Sequence, residues 1–197
     1  MRHSHFLLAA SIGALCSLAQ AQVLPAGKPS SWPEPVPKQG NVCPNISGAY
    51  QVQPTDKRVQ DPSANGSLAI MIFNYTPGRL NVPDWMWKEA SAVEFDYVEG
   101  KALSVTARDQ FRSREATRAI SANALECHNG VIFLKLNYGG NSEGVSHNTV
   151  SYLGLYRTGT GELVLSDNLA DRATTLFVLS STTERHDWYL YPAATKQ

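Results

Sequence analysis

From residue 93 onward, apolar and polar positions along the chain alternate. Val93, Phe95 and Tyr97 alternate with Glu94 and Asp96, and after Glu99-Gly100 the apolar residues Leu103, Val105 and Ala107 alternate with polar neighbours. A period of two marks a strand with one buried face, so the pair reads as a hairpin. ALECHNGVIFLKLNY turns on Asn129-Gly130, a dipeptide suited to a type I′ turn with both residues at positive φ. Beyond that turn Ile132, Leu134, Leu136 and Tyr138 share one face. A third hairpin runs TVSYLGLYRTGTGELVLSD, with Gly159 and Gly161 serving its turn. TTLFVLSS and DWYLY supply two final strands, and ISGAYQVQ and SLAIMIFN two early ones. The pattern predicts an all-β antiparallel meander of about ten strands with little helix. Such a run must bury one face and manage its edges; a barrel or a sandwich would do so, and a closed or nearly closed barrel is the expected form.

Helix signals are few. PDWMWKEA predicts one turn, with Pro83 or Asp84 near its start. RDQFRSREATRAI, Arg108 to Ile120, carries mixed signals and reads as a short helix or a long irregular connection. Gln22 to Val42 contains Pro25, Pro29, Pro33, Pro35 and Pro37, which deny it helix and most ladder hydrogen bonds. It is expected to be an extended, proline-rich linker; its alternative role is a docking ligand anchored by Trp32. Residues 43–197 then form a single β domain.

The first residues place that domain. Arg2 precedes an apolar run from Phe6 to Ala19, and Ala19-Gln20-Ala21 supplies a small-x-small cleavage pattern. Residues 1–21 therefore read as an export signal, too short to span a bilayer as a helix. No second apolar run of membrane length follows, so no membrane span is expected. The chain is expected in a periplasm or outside the cell. Leu15 just before Cys16 fits a lipoprotein signal poorly, so a lipid anchor is not expected. Removal of the signal leaves Cys43 and Cys127, most simply one disulfide. Its loop of roughly 85 residues is worth at most about 4–5 kcal/mol by chain entropy. The rival reading is a reactive thiol at Cys127 beside His128, but adjacent strand residues face opposite ways. Asn45, Asn65 and Asn74 begin N-x-S/T sequons, which matter only in a eukaryotic secretory host.

Charge and chemistry narrow the function classes. Seventeen Lys and Arg face seventeen Asp and Glu. That balance supplies no field for a phosphate backbone, so nucleic acid is not an expected partner. No nucleophile elbow is present, and His128, His147 and His186 show no metal-ligand spacing. No metal, cofactor or catalytic residue is implied. A hydrolase would need His and carboxylate side chains brought together by the fold. Asp167-Asn168-Leu169-Ala170-Asp171 reads as a polar turn rather than a calcium loop, and the run Gly139 to Gly144 as a flexible connection. Arg108, Arg112, Arg114 and Arg118 form the one local basic concentration. Either they belong to a solvated connection neutralised within the fold, or they meet an acidic partner. Trp85 and Trp87 flank Met86 and either cap one end of the barrel or are exposed for binding. Together the two tryptophans and four arginines make the candidate binding surface, since aromatic residues and Arg dominate interface hot spots.

Gly48-Ala49-Tyr50 on the first strand resembles the G-x-W entry of lipocalin-like barrels, with Tyr in place of Trp and Arg185 as the candidate for the family's C-terminal arginine. The Cys43–Cys127 pairing, the hairpin rhythm and the Trp188-Tyr189 ending also resemble small exported bacterial β proteins of no assigned role. The lipocalin resemblance implies a small apolar ligand inside the barrel. The expected function is an exported, non-enzymatic binding module holding such a ligand. The alternative is a module that binds an envelope protein through its outer surface, as an inhibitor, immunity protein or assembly factor does.

Overall fold

The computed structural model describes residues 24, 27–36, 42–74, 82–99, 101–142, 145–175 and 179–195. Among these residues, ten strands form two antiparallel sheets. The smaller contains β1 (Gly48–Gln51), β3 (Ala90–Tyr97), β4 (Leu103–Asp109) and β5 (Glu115–Ile120), in the order β1-β3-β4-β5. The larger follows the order β2-β10-β9-β8-β7-β6, from β2 (Asp56–Arg58), β6 (Leu125–His128), β7 (Val131–Ser142), β8 (Val145–Arg157), β9 (Leu163–Thr175) and β10 (Leu179–Tyr191). Neither sheet closes into a barrel. They meet along a seam where the Gln51 N–H donates to Pro192 O at 3.0 Å and the Ala194 N–H to Ala49 O at 2.8 Å. The Cys43–Cys127 disulfide, with a Cα–Cα distance of 4.9 Å, ties the chain before β1 to β6.

The β6–β7 turn has the expected form, with Asn129 at φ 52° and Gly130 at φ 80°. Among the described residues, two short α-helices, α1 (Leu68–Asn74) and α2 (Asp84–Lys88), and a 3-10 turn at Ala122–Ala124 interrupt the strands. SLAIMIFN, expected as a strand, is α1. Its residues Leu68 to Phe73 are all buried, and a helix apolar on every side is stable only inside a core. A short apolar run has no phase to separate a buried strand from a buried helix. The preceding Asn65 side chain accepts from the Ser67 N–H at 2.9 Å, and the Leu68 N–H donates to Val52 O at 2.8 Å, which bends the chain inward. The helix packs with Val93, Phe95, Val105, Leu134, Leu155 and Tyr191 from both sheets in one cluster. That cluster lies between the sheets.

Three further expectations change. Arg108 to Ile120 is neither helix nor irregular connection but the end of β4, a turn and β5. Arg118 occupies an inward position of β5, between Ala116 and Ile120, which hides the alternation in the sequence. Asp167 to Asp171 lies inside β9 rather than in a turn, and residues 139–142 belong to β7 rather than to a connection. TTLFVLSS, expected as one strand, is divided between two: Thr174 and Thr175 end β9 and pair with Ser180 and Leu179 at the start of β10, which runs on through DWYLY; residues 176–178 lie outside those described.

Candidate functional site

The six residues of the predicted binding surface separate into different tasks. Arg118 Nη1 donates to Phe73 O at 2.5 Å and its guanidinium lies 4.9 Å from the Phe73 ring centroid. It thus satisfies a C-terminal carbonyl of α1, where positive charge is favoured. Arg108 pairs with Glu94 and, at 3.4 Å, with Glu115 across β3, β4 and β5. Trp85 is partly buried against the core, whereas Trp87 is 50% exposed. Arg114 Nη1 meets Glu89 Oε1 at 2.8 Å, which ties the β4–β5 turn to the residue after α2.

That turn carries the residue the sequence reading missed. Phe111 is 79% exposed, the most exposed large apolar side chain among the described residues. Its loop is braced from below. Asp109, buried on β4, accepts from the Ser113 N–H at 2.8 Å and from the Ser113 hydroxyl at 2.5 Å. These bonds, with backbone donors nearby, hold the Asp109 carboxyl below its usual range, the Ser113 hydroxyl contributing most. The Arg112 N–H donates to Asp109 O and the Asp109 N–H to Arg114 O, each at 3.2 Å. Arg112 adopts φ 56°, a left-handed conformation costing a non-glycine residue roughly 1–2 kcal/mol. The available signal was a lone aromatic residue inside a polar run. Because Ala90 is the cross-strand partner of Asp109, α2 and the turn lie at the same end of the smaller sheet. Trp87, Phe111, Arg112 and Arg114 therefore share one end of the molecule.

Beside this end, on the outer face of the smaller sheet, runs a groove of about 780 Å³ bordered by Ala49, Ala92, Glu94, Asp96, Thr106 and Arg108. A smaller groove of about 360 Å³ lies along β2 near Pro54 and Gly66. Both open on the outside of the fold.

A second polar cluster lies where the inner face of the larger sheet leaves the core. Asp167 and Asp187 are cross-strand partners on β9 and β10, both buried. Arg185 reaches both, with Nη2 at 3.1 Å from Asp167 and Nε at 3.0 Å from Asp187. The Gln60 N–H donates to Asp187 at 2.8 Å, and Ser151 to Asp167 at 3.3 Å. Burial pushes the Asp187 carboxyl upward; the Gln60 N–H and Arg185 oppose that shift, and Asp167 adds to it. The row anchors the chain after β2 onto β10. His128 lies on β6, with three strands between it and β10. The His186 ring sits 3.9 Å from Glu184, on the next residue along β10 from Asp187 and hence on the other face. The side chain of His147 lies outside those described.

Tyr50 of the Gly48-Ala49-Tyr50 triplet is buried, donates its hydroxyl to Ile46 O at 2.9 Å and meets Phe95 edge-on. Arg185 is engaged at the Asp167–Asp187 row, while Arg157 donates to Ser47 O beside the triplet. No group of three or more metal-ligating side chains occurs among the described residues. No helix among them is long and apolar enough to cross a membrane; this and the disulfide are compatible with export. Compared with protein-family models, characterised proteins and solved structures, the chain matches none.

Proposed function

We propose that this is an exported β module that binds another protein of the cell envelope through its outer surface, with Phe111 as the anchor. The observation that carries the reading is an aromatic side chain, 79% exposed, on a loop fixed by the Asp109–Ser113 hydrogen bonds. Preorganising a loop removes part of the entropy cost of binding, and an aromatic anchor beside arginines is the composition of a hot spot. Trp87, Arg112 and Arg114 extend the patch, and the neighbouring polar groove gives it a rim. The helix α1 supports this reading over a small apolar ligand between the sheets, because its buried side chains occupy the space such a ligand needs.

The test places a photo-crosslinking phenylalanine analogue at position 111 or at Val98, an exposed control beyond β3, and irradiates cells of the native host. A discrete adduct from position 111, absent from position 98 and lost when Arg112 and Arg114 become Glu, is expected. Equal labelling from both positions, or none from 111 with the protein folded and exported, overturns the reading.

A further inference from the structure

The outer face of the larger sheet carries its own apolar cluster, and it is covered by the proline-rich stretch ahead of the domain. Trp32 is 4% exposed there, packed with Val131, Phe133, Tyr156, Val164 and Trp188. Leu24 packs against the same cluster. Gly154 makes room for it, since a Cβ at that position would lie 3.1 Å from Leu24 Cδ2. Two polar contacts set the register of this strap on the sheet. The Trp32 indole N–H donates to Asp56 Oδ2 at 2.9 Å, and the Tyr156 hydroxyl donates to Pro33 O at 2.8 Å. Within the strap, Lys28 donates to Trp32 O at 2.8 Å and pairs with Glu34 at 2.9 Å.

These are the contacts of a bound peptide rather than of a strand. The described strap residues belong to no strand of either sheet. They are held by one aromatic anchor in a pocket and by a tyrosine hydroxyl on a carbonyl beside proline. The Trp32 N–H donates to Pro29 O at 3.0 Å, so a turn presents the indole, and the prolines on either side limit the entropy the segment loses on binding. A segment so held can leave without breaking the sheet beneath it.

We propose that this face is a recognition groove for segments in which a proline-bounded turn presents a tryptophan, and that its ligand in trans is the strap of a second copy of this chain. Every copy carries both the groove and a segment that fits it. In the resting protein the strap closes its own groove, at the millimolar effective concentration typical of a short tether. Exchange between copies follows when that closure is loosened. The site is separate from the Phe111 surface, which lies on the smaller sheet.

The probe is a fluorescein-labelled synthetic peptide of residues 24–36, titrated by anisotropy into the full chain from Gln22. Trp32→Ala, which empties the pocket, is expected to bind it saturably and at least tenfold more tightly than the unsubstituted chain. The same peptide with Ala at position 32 is expected to bind at least tenfold more weakly. No saturable binding to folded Trp32→Ala chain, or equal binding of the two peptides, overturns the groove. If Trp32→Ala does not fold, the chain with Pro33→Gly and Pro35→Gly takes its place, with a gain of at least threefold over the unsubstituted chain expected and its absence counting against the groove. The second-copy assignment is read by native mass spectrometry. Trp32→Ala chain is mixed with a chain bearing Asp56→Ala and Tyr156→Phe, whose strap is intact but whose groove has lost both polar contacts. A heterodimer is expected, and peptide binding without it overturns exchange between copies.

Discussion

Replacing Arg185 by Met tests the physical account of the buried row. The substitution keeps an unbranched stem of similar girth and removes a guanidinium that touches both Asp167 and Asp187. It leaves two buried carboxylates as direct cross-strand partners. Removing one partner of a buried ion pair costs about 3–5 kcal/mol. The Arg185 side chain is 36% exposed, so water screens it and the low end, about 3 kcal/mol, is appropriate. For a domain of this size that is a fall in Tm of about 6–12 °C at pH 7.5. The loss must depend on pH. Burial already holds the Asp187 pKa above its usual value, so the folded chain binds that proton more tightly than the unfolded one. The stability this group contributes is complete below its unfolded pKa and is lost as pH rises through the raised folded pKa. Without Arg185 the folded pKa climbs further, so the deficit relative to the unsubstituted protein shrinks on acidification, as Asp187 takes up its proton. Thermal melts of the two proteins from pH 4.5 to 7.5, followed by circular dichroism, measure this difference. Arg185→Met with Asp187→Asn should recover most of the loss at pH 7.5, since the amide keeps the Gln60 contact without the second charge. A deficit that is the same at pH 4.5 and 7.5, or a double variant as unstable as Arg185→Met, refutes the reasoning.

Other outcomes follow from the same structure. Reducing the Cys43–Cys127 bond, which spans 84 residues, should cost up to about 4–5 kcal/mol and lower the Tm; an unchanged melt in reductant removes the bond from the list of stabilising elements. Gly130→Val should destabilise by about 1–2 kcal/mol or more, because a β-branched residue resists φ 80°, and denaturant midpoints will show whether it does. Arg118→Met should cost about 1–3 kcal/mol through the carbonyl of Phe73 it leaves without this donor, and chemical denaturation with full stability retained would show that α1 needs no such cap.

What the sequence carries by itself is what short-range periodicity can record. Val93-Phe95-Tyr97 and Leu103-Val105-Ala107 announce their strands because one face of each meets the core, and Asn129-Gly130 announces its turn because few residues accept positive φ. The two cysteines that follow the export-like start announce their pairing by elimination. The surface residues were legible as a class, aromatic and basic, but not as a group. Arg118 and Phe111 look alike in a polar run of the sequence, yet one faces inward to α1 and the other faces solvent.

Tertiary structure decided the rest. SLAIMIFN became a helix because the gap between two sheets needed filling, a demand set by residues far away in the chain. Asp167 and Asp187 are twenty positions apart and share one arginine only through the register of β9 on β10. Trp32 found its pocket across strands that come together long after it in the chain. Periodicity is a local property and survives in a string of letters. Burial, register and shared charge depend on which distant segments arrive at the same place, and only the folded chain fixes that.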